Sequence, residues 1–343
     1  MMKRWIPVLL VVCIALVMAG CGAAEPQQAQ APTESPAATP DTTATPGQTP
    51  APAQEASPTP PPDTCPAIDR SDILAAQAGS VRFRDYTYED TPRRYLLYIP
   101  EGLAEGAPMV FVLHGYYGQA YSFIEKTGMN EVADAHGFAV VYPQGLPAQS
   151  GEFPGSHWNA DFTFSEEDDV GFLTELAASL QQTYGFSPYH TFVTGLSNGG
   201  FMCYTLAVRS PETFRAIAPV AGLMSKETWA GRDVTDAPVP VLHIHGTADA
   251  TVPIDGTMME NGGWGGAPEL EETIQYWVDR DGLDSMTEDR SGNLYGRKYA
   301  GGGSDALVWY YLIEGFGHDW PTEENAGLDT GELIWAFFSN YLD

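Results

Sequence analysis

Apolar residues along this chain fall into short unbroken runs, separated by stretches in which they recur every three or four positions. Met109-Val110-Phe111-Val112-Leu113 and Phe138-Ala139-Val140-Val141-Tyr142 present no polar face at all. A strand apolar on both sides has both sides buried, which is the condition of a parallel sheet covered by helices on each face. Thr191-Phe192-Val193-Thr194, Ala216-Ile217-Ala218-Pro219-Val220, Val241-Leu242-His243-Ile244 and residues 307–313 read the same way. Between them, residues 169–184 bring Phe172, Leu173, Leu176, Leu180 and Tyr184 near one face of a helix, and 270–278 and 333–342 predict two more. Residues 200–209 run as a helix until Ser210-Pro211 ends it. Upstream, residues 81–88 alternate, turn at Glu89-Asp90-Thr91-Pro92 and return over 94–100, the pattern of an antiparallel hairpin. The alternation of β and α elements predicts an α/β domain. Its sheet is doubly wound and mostly parallel with an antiparallel leading hairpin, and the loops at the strands' carboxyl ends carry the site.

The pattern stops short of the amino terminus. Residues 1–20 have a charged start at Lys3 and Arg4, an apolar core over 6–18 and the sequence Met18-Ala19-Gly20 before Cys21. Small residues ahead of a cysteine fit a bacterial lipoprotein signal, cleaved before Cys21 with lipid on its thiol, and the apolar stretch is short for a permanent span. The expectation is an extracytoplasmic, membrane-anchored lipoprotein. Residues 21–64 are rich in Ala, Pro, Thr, Gln and Ser and hold neither an aromatic side chain nor a Lys or Arg. Nothing there builds a core, so this segment is expected to be a disordered linker with an extended reach of about 130 Å. Residues 65–343 are then one catalytic-sized α/β domain.

A net charge of −29 argues against nucleic acid as a partner. Of the cysteines, Cys13 lies in the signal and Cys21 takes the lipid, which leaves Cys65 and Cys203. In an oxidising compartment they are a candidate disulfide pair, against the alternative that Cys203 is a small buried apolar residue.

The chemistry is carried by Gly195-Leu196-Ser197-Asn198-Gly199, a G-x-S-x-G box with a β-branched run before it and a helical stretch after it. In a nucleophile elbow the serine sits on a sharp strand-to-helix turn, and glycines on either side leave room for the backbone. Downstream, the run through His245-Gly246-Thr247-Ala248 ends in a polar turn at Asp249, and the last strand leads into Gly315-Phe316-Gly317-His318. The order Ser197, Asp249, His318 is that of α/β-hydrolases. A serine hydroxyl needs a histidine to take its proton, and that histidine needs an acid to fix its tautomer. Asp255 and Asp319 are rival acids. Asp168 and Asp169 resemble a glycosidase carboxylate pair, but they open a helix and read first as caps. His243 and His245 lie on a buried strand and read as structural, His114 as a brace for the loop that follows it, and His157 as either a cleft residue or a loop cap. No spacing of ligands suggests a metal site, and no cofactor is required.

Several further pieces resemble the secreted feruloyl esterases and polyhydroxybutyrate depolymerase-like esterases. They are Val112-Leu113-His114-Gly115, Val141-Tyr142-Pro143-Gln144-Gly145, Trp158-Asn159, Asp168-Asp169-Val170-Gly171-Phe172, the Ser197 box, His245-Gly246-Thr247-Ala248-Asp249 and Gly317-His318-Asp319-Trp320-Pro321. The resemblance spans about residues 80–342 and implies an α/β-hydrolase fold with Ser197 as nucleophile, Asp249 as orienting acid and His318 as base. It also implies an oxyanion hole from the backbone N–H groups of Asn198 and Tyr116. The expected activity is a serine esterase acting through an acyl-enzyme on feruloyl or acetyl esters of plant polysaccharide. Hydroxybutyrate oligomers are the second substrate class, and a serine peptidase of the same fold and a non-enzymatic solute-binding lipoprotein are the rivals. Trp158, Trp264 and Trp320 fall in loops near the inferred site and are candidates for contact with substrate.

Overall fold

The computed structural model describes residues 78–147, 155–234, 237–258 and 264–342. The signal, the linker, Cys21 and Cys65 lie outside the described residues.

The domain is built on a ten-stranded sheet in the order β1-β2-β4-β3-β5-β6-β7-β10-β9-β8. The leading hairpin is β1 (Phe83–Tyr88) and β2 (Thr91–Tyr98), and β2 runs antiparallel to β4 (Ala139–Gln144). From β4 onward the pairing is parallel through β3 (Met109–Leu113), β5 (Thr191–Leu196), β6 (Ala216–Val220), β7 (Val241–Gly246) and β10 (Val308–Ile313). A second hairpin, β8 (Ser285–Ser291) and β9 (Leu294–Ala300), closes the other side antiparallel to β10. The pattern of apolar residues did not announce that hairpin.

The sheet is buried on both faces, and β3 shows how. Met109, Phe111 and Leu113 belong to one apolar cluster, whereas Val110 and Val112 belong to the other. The first cluster is covered by α3 (Asp169–Tyr184), α4 (Asn198–Arg209) and α6 (Leu270–Arg280), through residues such as Phe172, Phe201 and Trp277. The second is covered by α2 (Met129–His136) and α8 (Thr330–Phe338), through Met129, Ile334 and Phe338. Three further α-helices are short: α1 (Ser122–Thr127), α5 (Lys226–Ala230) and α7 (Glu323–Ala326). Each fully buried Phe or Leu in these clusters contributes about 1.5–3 kcal/mol by leaving water. Two helices start earlier than the periodicity suggested. α4 begins at Asn198, immediately after the serine, and α8 at Thr330, capped by the Asp329 side chain.

Asp168 and Asp169 are not a carboxylate pair in a cleft. Asp168 caps α3 by accepting from Gly171 N at 2.9 Å, and Asp169 is buried in an ion pair with Arg93 and accepts from Asn159 N at 2.7 Å. Cys203 is a free, fully buried thiol on α4, and burial pushes its pKa up.

The strand order reverses between β4 and β5 on either side of β3. In an open α/β sheet the crevice at the carboxyl ends of the strands flanking such a point is where ligands bind. The loop after β3 and the turn after β5 meet there.

Candidate active site

Ser197 is the single residue between β5 and α4, at φ 57° and ψ −120°. A non-glycine residue held there costs on the order of 1–3 kcal/mol and persists only where its surroundings leave no alternative. The glycines of the box supply that constraint. A Cβ on Gly195 would lie 2.7 Å from the carbonyl carbon of Gly199, and one on Gly199 would collide with Leu113 O. The Ser197 N–H donates to Val220 O at 2.9 Å, tying the turn to the end of β6.

The histidine and the acid come from the ends of neighbouring strands. Asp249 follows β7 and His318 follows β10, and β7 and β10 pair in parallel. Two contacts fasten their loops together: Ala248 N–H donates to Phe316 O at 2.9 Å, and Gly315 N–H donates to Thr247 Oγ1 at 2.9 Å. The outcome is a continuous chain, with His318 Nε2 2.9 Å from Ser197 Oγ and His318 Nδ1 2.7 Å from Asp249 Oδ2. The other oxygen of Asp249 accepts from Thr251 N at 2.9 Å and Val252 N at 2.8 Å. Burial pushes the Asp249 pKa up, but the hydrogen bonds from His245, His318 and Val252 outweigh it and hold the carboxyl well below the usual range.

The rival acids are engaged elsewhere. Asp319 pairs with Lys126, and Asp255 caps its own turn through Thr257.

Beside Ser197 lies a cavity of about 310 Å³ lined by Tyr116, Tyr117, Phe201, Val252, Met258 and Trp264, with Thr251 at its edge. No charged side chain is among these described lining residues. Trp264 is the hub of an aromatic cluster, its ring centroid 5.0 Å from Tyr116, 4.7 Å from Phe162 and 5.1 Å from Phe164.

Of the three tryptophans expected near substrate, only Trp264 lines this cavity. Trp158 is fully buried, with its indole N–H donating to His114 O at 2.9 Å. Trp320 is buried on the far face of the sheet among the residues of α2 and α8, away from Ser197. Both belong to loops near the site, but each ring is buried in one of the two apolar clusters that flank the sheet.

Asn198, the first residue of α4, has no intrahelical acceptor for its N–H. Its side chain clamps the preceding loop, accepting from Trp158 N at 2.7 Å and donating to Trp158 O at 2.9 Å. After β3, Gly115 packs against Ser197, and Tyr116 follows it into the cavity wall. The N–H groups of Tyr117 and Gly118 are committed to Ser156 O and Gly115 O. His114 braces this loop. It accepts from Gly145 N at 2.9 Å through Nε2, so its Nδ1–H donates to Gly115 O at 2.8 Å. His157 is buried, with Nδ1 3.0 Å from Leu146 O, and it caps a loop instead of lining the cavity.

Residues 93–257 match the family described as Esterase PHB depolymerase, a segment that includes Ser197 and Asp249 and ends before His318. A putative esterase, NocK, of Nocardia uniformis subsp. tsuyamanensis is 28% identical over 262 residues, covering 69% of this chain and 73% of its own. Poly(3-hydroxyalkanoate) depolymerase C of Paucimonas lemoignei is 27% identical over 263 residues, and feruloyl esterase C of Emericella nidulans is 29% identical over 171. The matched part is 59% of the Paucimonas protein and 57% of the Emericella one. Among solved structures, an acetyl xylan esterase from Aspergillus awamori superposes with a TM-score of 0.57 at 18% identity, covering 76% of this chain and 99% of that one. An S-formylglutathione hydrolase from Agrobacterium tumefaciens gives 0.53 at 16%, covering 77% and 99%. These two likenesses speak to the fold alone. The chain is a carboxylic ester hydrolase on the α/β-hydrolase fold, similar to the feruloyl esterases and polyhydroxybutyrate depolymerase-like esterases.

Proposed function

We propose that this chain is an extracytoplasmic serine esterase that cleaves neutral carboxylic esters through an acyl-enzyme, anchored to a membrane by lipid on Cys21. The observation that carries the catalytic part is the hydrogen-bonded chain Ser197–His318–Asp249 opening onto an aromatic-lined cavity whose described lining residues carry no charge. His318 takes the Ser197 proton as Oγ attacks the ester carbonyl, and Asp249 stabilises the resulting imidazolium. The oxyanion is received by the N–H groups of Asn198 and Tyr116. His318 then gives its proton to the departing alcohol, and water releases the acid by the same steps with His318 again as base.

Feruloyl or acetyl esters of plant polysaccharide are the substrates this reading favours. Trp264 and Tyr116 give a planar acyl group a stacking surface, about 0.5–1.5 kcal/mol beyond area burial for a good ring pair. Hydroxyalkanoate esters are the second reading, favoured by the aliphatic side of the cavity at Val252 and Met258.

A fluorophosphonate probe should label Ser197, and Ser197→Ala should lose labelling and about four to six orders of magnitude in kcat while folding normally. Residual activity within tenfold of wild type overturns the mechanism. The ratio of kcat/KM for methyl ferulate over methyl 3-hydroxybutyrate should be at least about ten and should shrink in Trp264→Ala. A ratio below one, unchanged in that variant, moves the substrate to the hydroxyalkanoate class. The anchor is tested separately, by loss of metabolic lipid labelling in Cys21→Ser.

A further inference from the structure

Behind the acid lies a buried row of polar groups that the ester chemistry does not itself call on. Tyr204 Oη is 2.8 Å from His243 Nδ1, His243 Nε2 is 3.0 Å from His245 Nδ1, and His245 Nε2 is 2.9 Å from Val252 O and 3.2 Å from Asp249 Oδ2. Tyr204 and His243 are inaccessible to solvent, and His245 is 1% exposed. Tyr204 comes from α4, the helix that Ser197 opens, and both histidines come from β7, the strand that Asp249 follows. The row therefore joins the nucleophile's helix to the acid's strand.

Its directions are settled by one atom. Val252 O can only accept, so His245 carries its proton on Nε2. A neutral His245 then has a bare Nδ1, which must accept from His243 Nε2–H. A neutral His243 in turn presents a bare Nδ1 to the hydroxyl of Tyr204, which donates. Burial, together with the neighbouring His245, holds the His243 pKa well below its ordinary range, in keeping with a neutral ring.

We infer that His245, kept in one tautomer by His243 and Tyr204, is a positioning residue that fixes the Asp249 carboxylate for His318. Asp249 Oδ2 accepts from His318 on the substrate side and, from behind, shares the single Nε2–H of His245 with Val252 O, at 3.2 Å against 2.9 Å. The second donor sets the carboxylate's angle and withdraws part of its charge from His318. This inference deepens the triad reading and rests on it.

The groups that bear on the pH behaviour are all on the page. Asp249 faces His245, His318 and the N–H groups of Thr251 and Val252, and His243 faces Tyr204 and the ring of Tyr310. His318 faces Ser197 and, at longer range, Asp319, which is paired with Lys126. Removing the His245 donor leaves a carboxylate that holds the proton on His318 more tightly, so the rising limb of kcat/KM against pH moves to higher pH.

The test uses the folded enzyme with His245→Leu and His245→Gln, the latter placing an amide N–H where Nε2 stood. His245→Leu should lower kcat about ten- to hundredfold with KM within about threefold, by analogy with the loss of a partner that orients a metal-bound histidine. Its rising limb should shift upward. His245→Gln should recover most of the kcat and return the limb to its wild-type position. A His245→Leu limb that stays in place, or a Gln variant no better than Leu, overturns the inference. ¹⁵N imidazole spectra of the wild-type enzyme provide a second measurement that no folding defect can spoil. At pH 8 they should show His243 and His245 protonated at Nε2 and not at Nδ1, and a neutral ring of either residue with its proton on Nδ1 overturns it as well. Fluorophosphonate labelling of wild-type Ser197 tests the triad separately. With labelling intact and the His245 results negative, only this inference fails.

Discussion

Asp249 accepts two backbone N–H groups on one oxygen and the His318 N–H on the other, which also lies 3.2 Å from His245 Nε2. That arrangement decides what Asp249→Asn must do. The backbone donors are fixed, so the asparagine oxygen stays with them and its NH2 group turns toward the histidines. His318 must then present a bare Nδ1, which leaves its proton on Nε2, facing Ser197, where none can be accepted. The expected loss in kcat is about 10³–10⁴, while Asp319→Asn and Asp255→Asn remain within about threefold of wild type. Steady-state kinetics of the three variants checks this, and a large loss in either of the latter two reassigns the acid. At this scale Ser197, Asp249 and His318 were legible because each sits on a turn whose composition differs from the strand before it. His245 was not: a histidine in a buried apolar run has no local mark that tells a structural hydrogen bond from one aimed at a carboxylate four residues on. The tryptophans divide for a similar reason. Burial of an indole is settled by what packs over it, and local sequence says nothing of that.

At the scale of elements, His114 joins the loop after β3 to the loop after β4 as a neutral ring with both nitrogens engaged. Burial, with a smaller contribution from His157, lowers its pKa from 6.5 to about 4. The unfolded chain therefore binds an extra proton between those values, and stability present above about pH 6.5 is lost as the pH falls toward 4. Between pH 7 and 5 this group alone accounts for about 2 kcal/mol. Urea unfolding at the two pH values should show His114→Asn losing that much less than wild type on acidification; equal losses would mean the brace is not what titrates. The parallel strands and their helices were legible because a run buried on both faces is apolar throughout, as β3 and β4 are. The hairpin of β8 and β9 was invisible for the opposite reason. Every position of β8 is exposed, so its sequence, Ser285-Met286-Thr287-Glu288-Asp289-Arg290-Ser291, carries no alternation to read. Only pairing with β9 makes it a strand.

Over the whole molecule, the charge and the cavity tell different stories. The chain carries a net charge of −29, yet the described residues lining the cavity beside Ser197 are aromatic, aliphatic or hydroxyl-bearing and none is charged. A neutral ester meets no electrostatic penalty on entering such a wall. Hydrolysis changes that. The acyl half departs as a carboxylate, with no cation in the described wall to hold it and an acidic protein around it, so the field that is indifferent to substrate expels product. Product inhibition by ferulate or acetate should accordingly be weak, with an inhibition constant at least about tenfold above the KM of the matching ester, and should tighten as salt screens the repulsion. Progress curves run to high conversion at low and high ionic strength measure both, and strong inhibition at low salt would show that a cation reaches the carboxylate after all. The described lining thus bears on release: the product leaves because hydrolysis creates a charge that no described residue of the cavity wall pairs with.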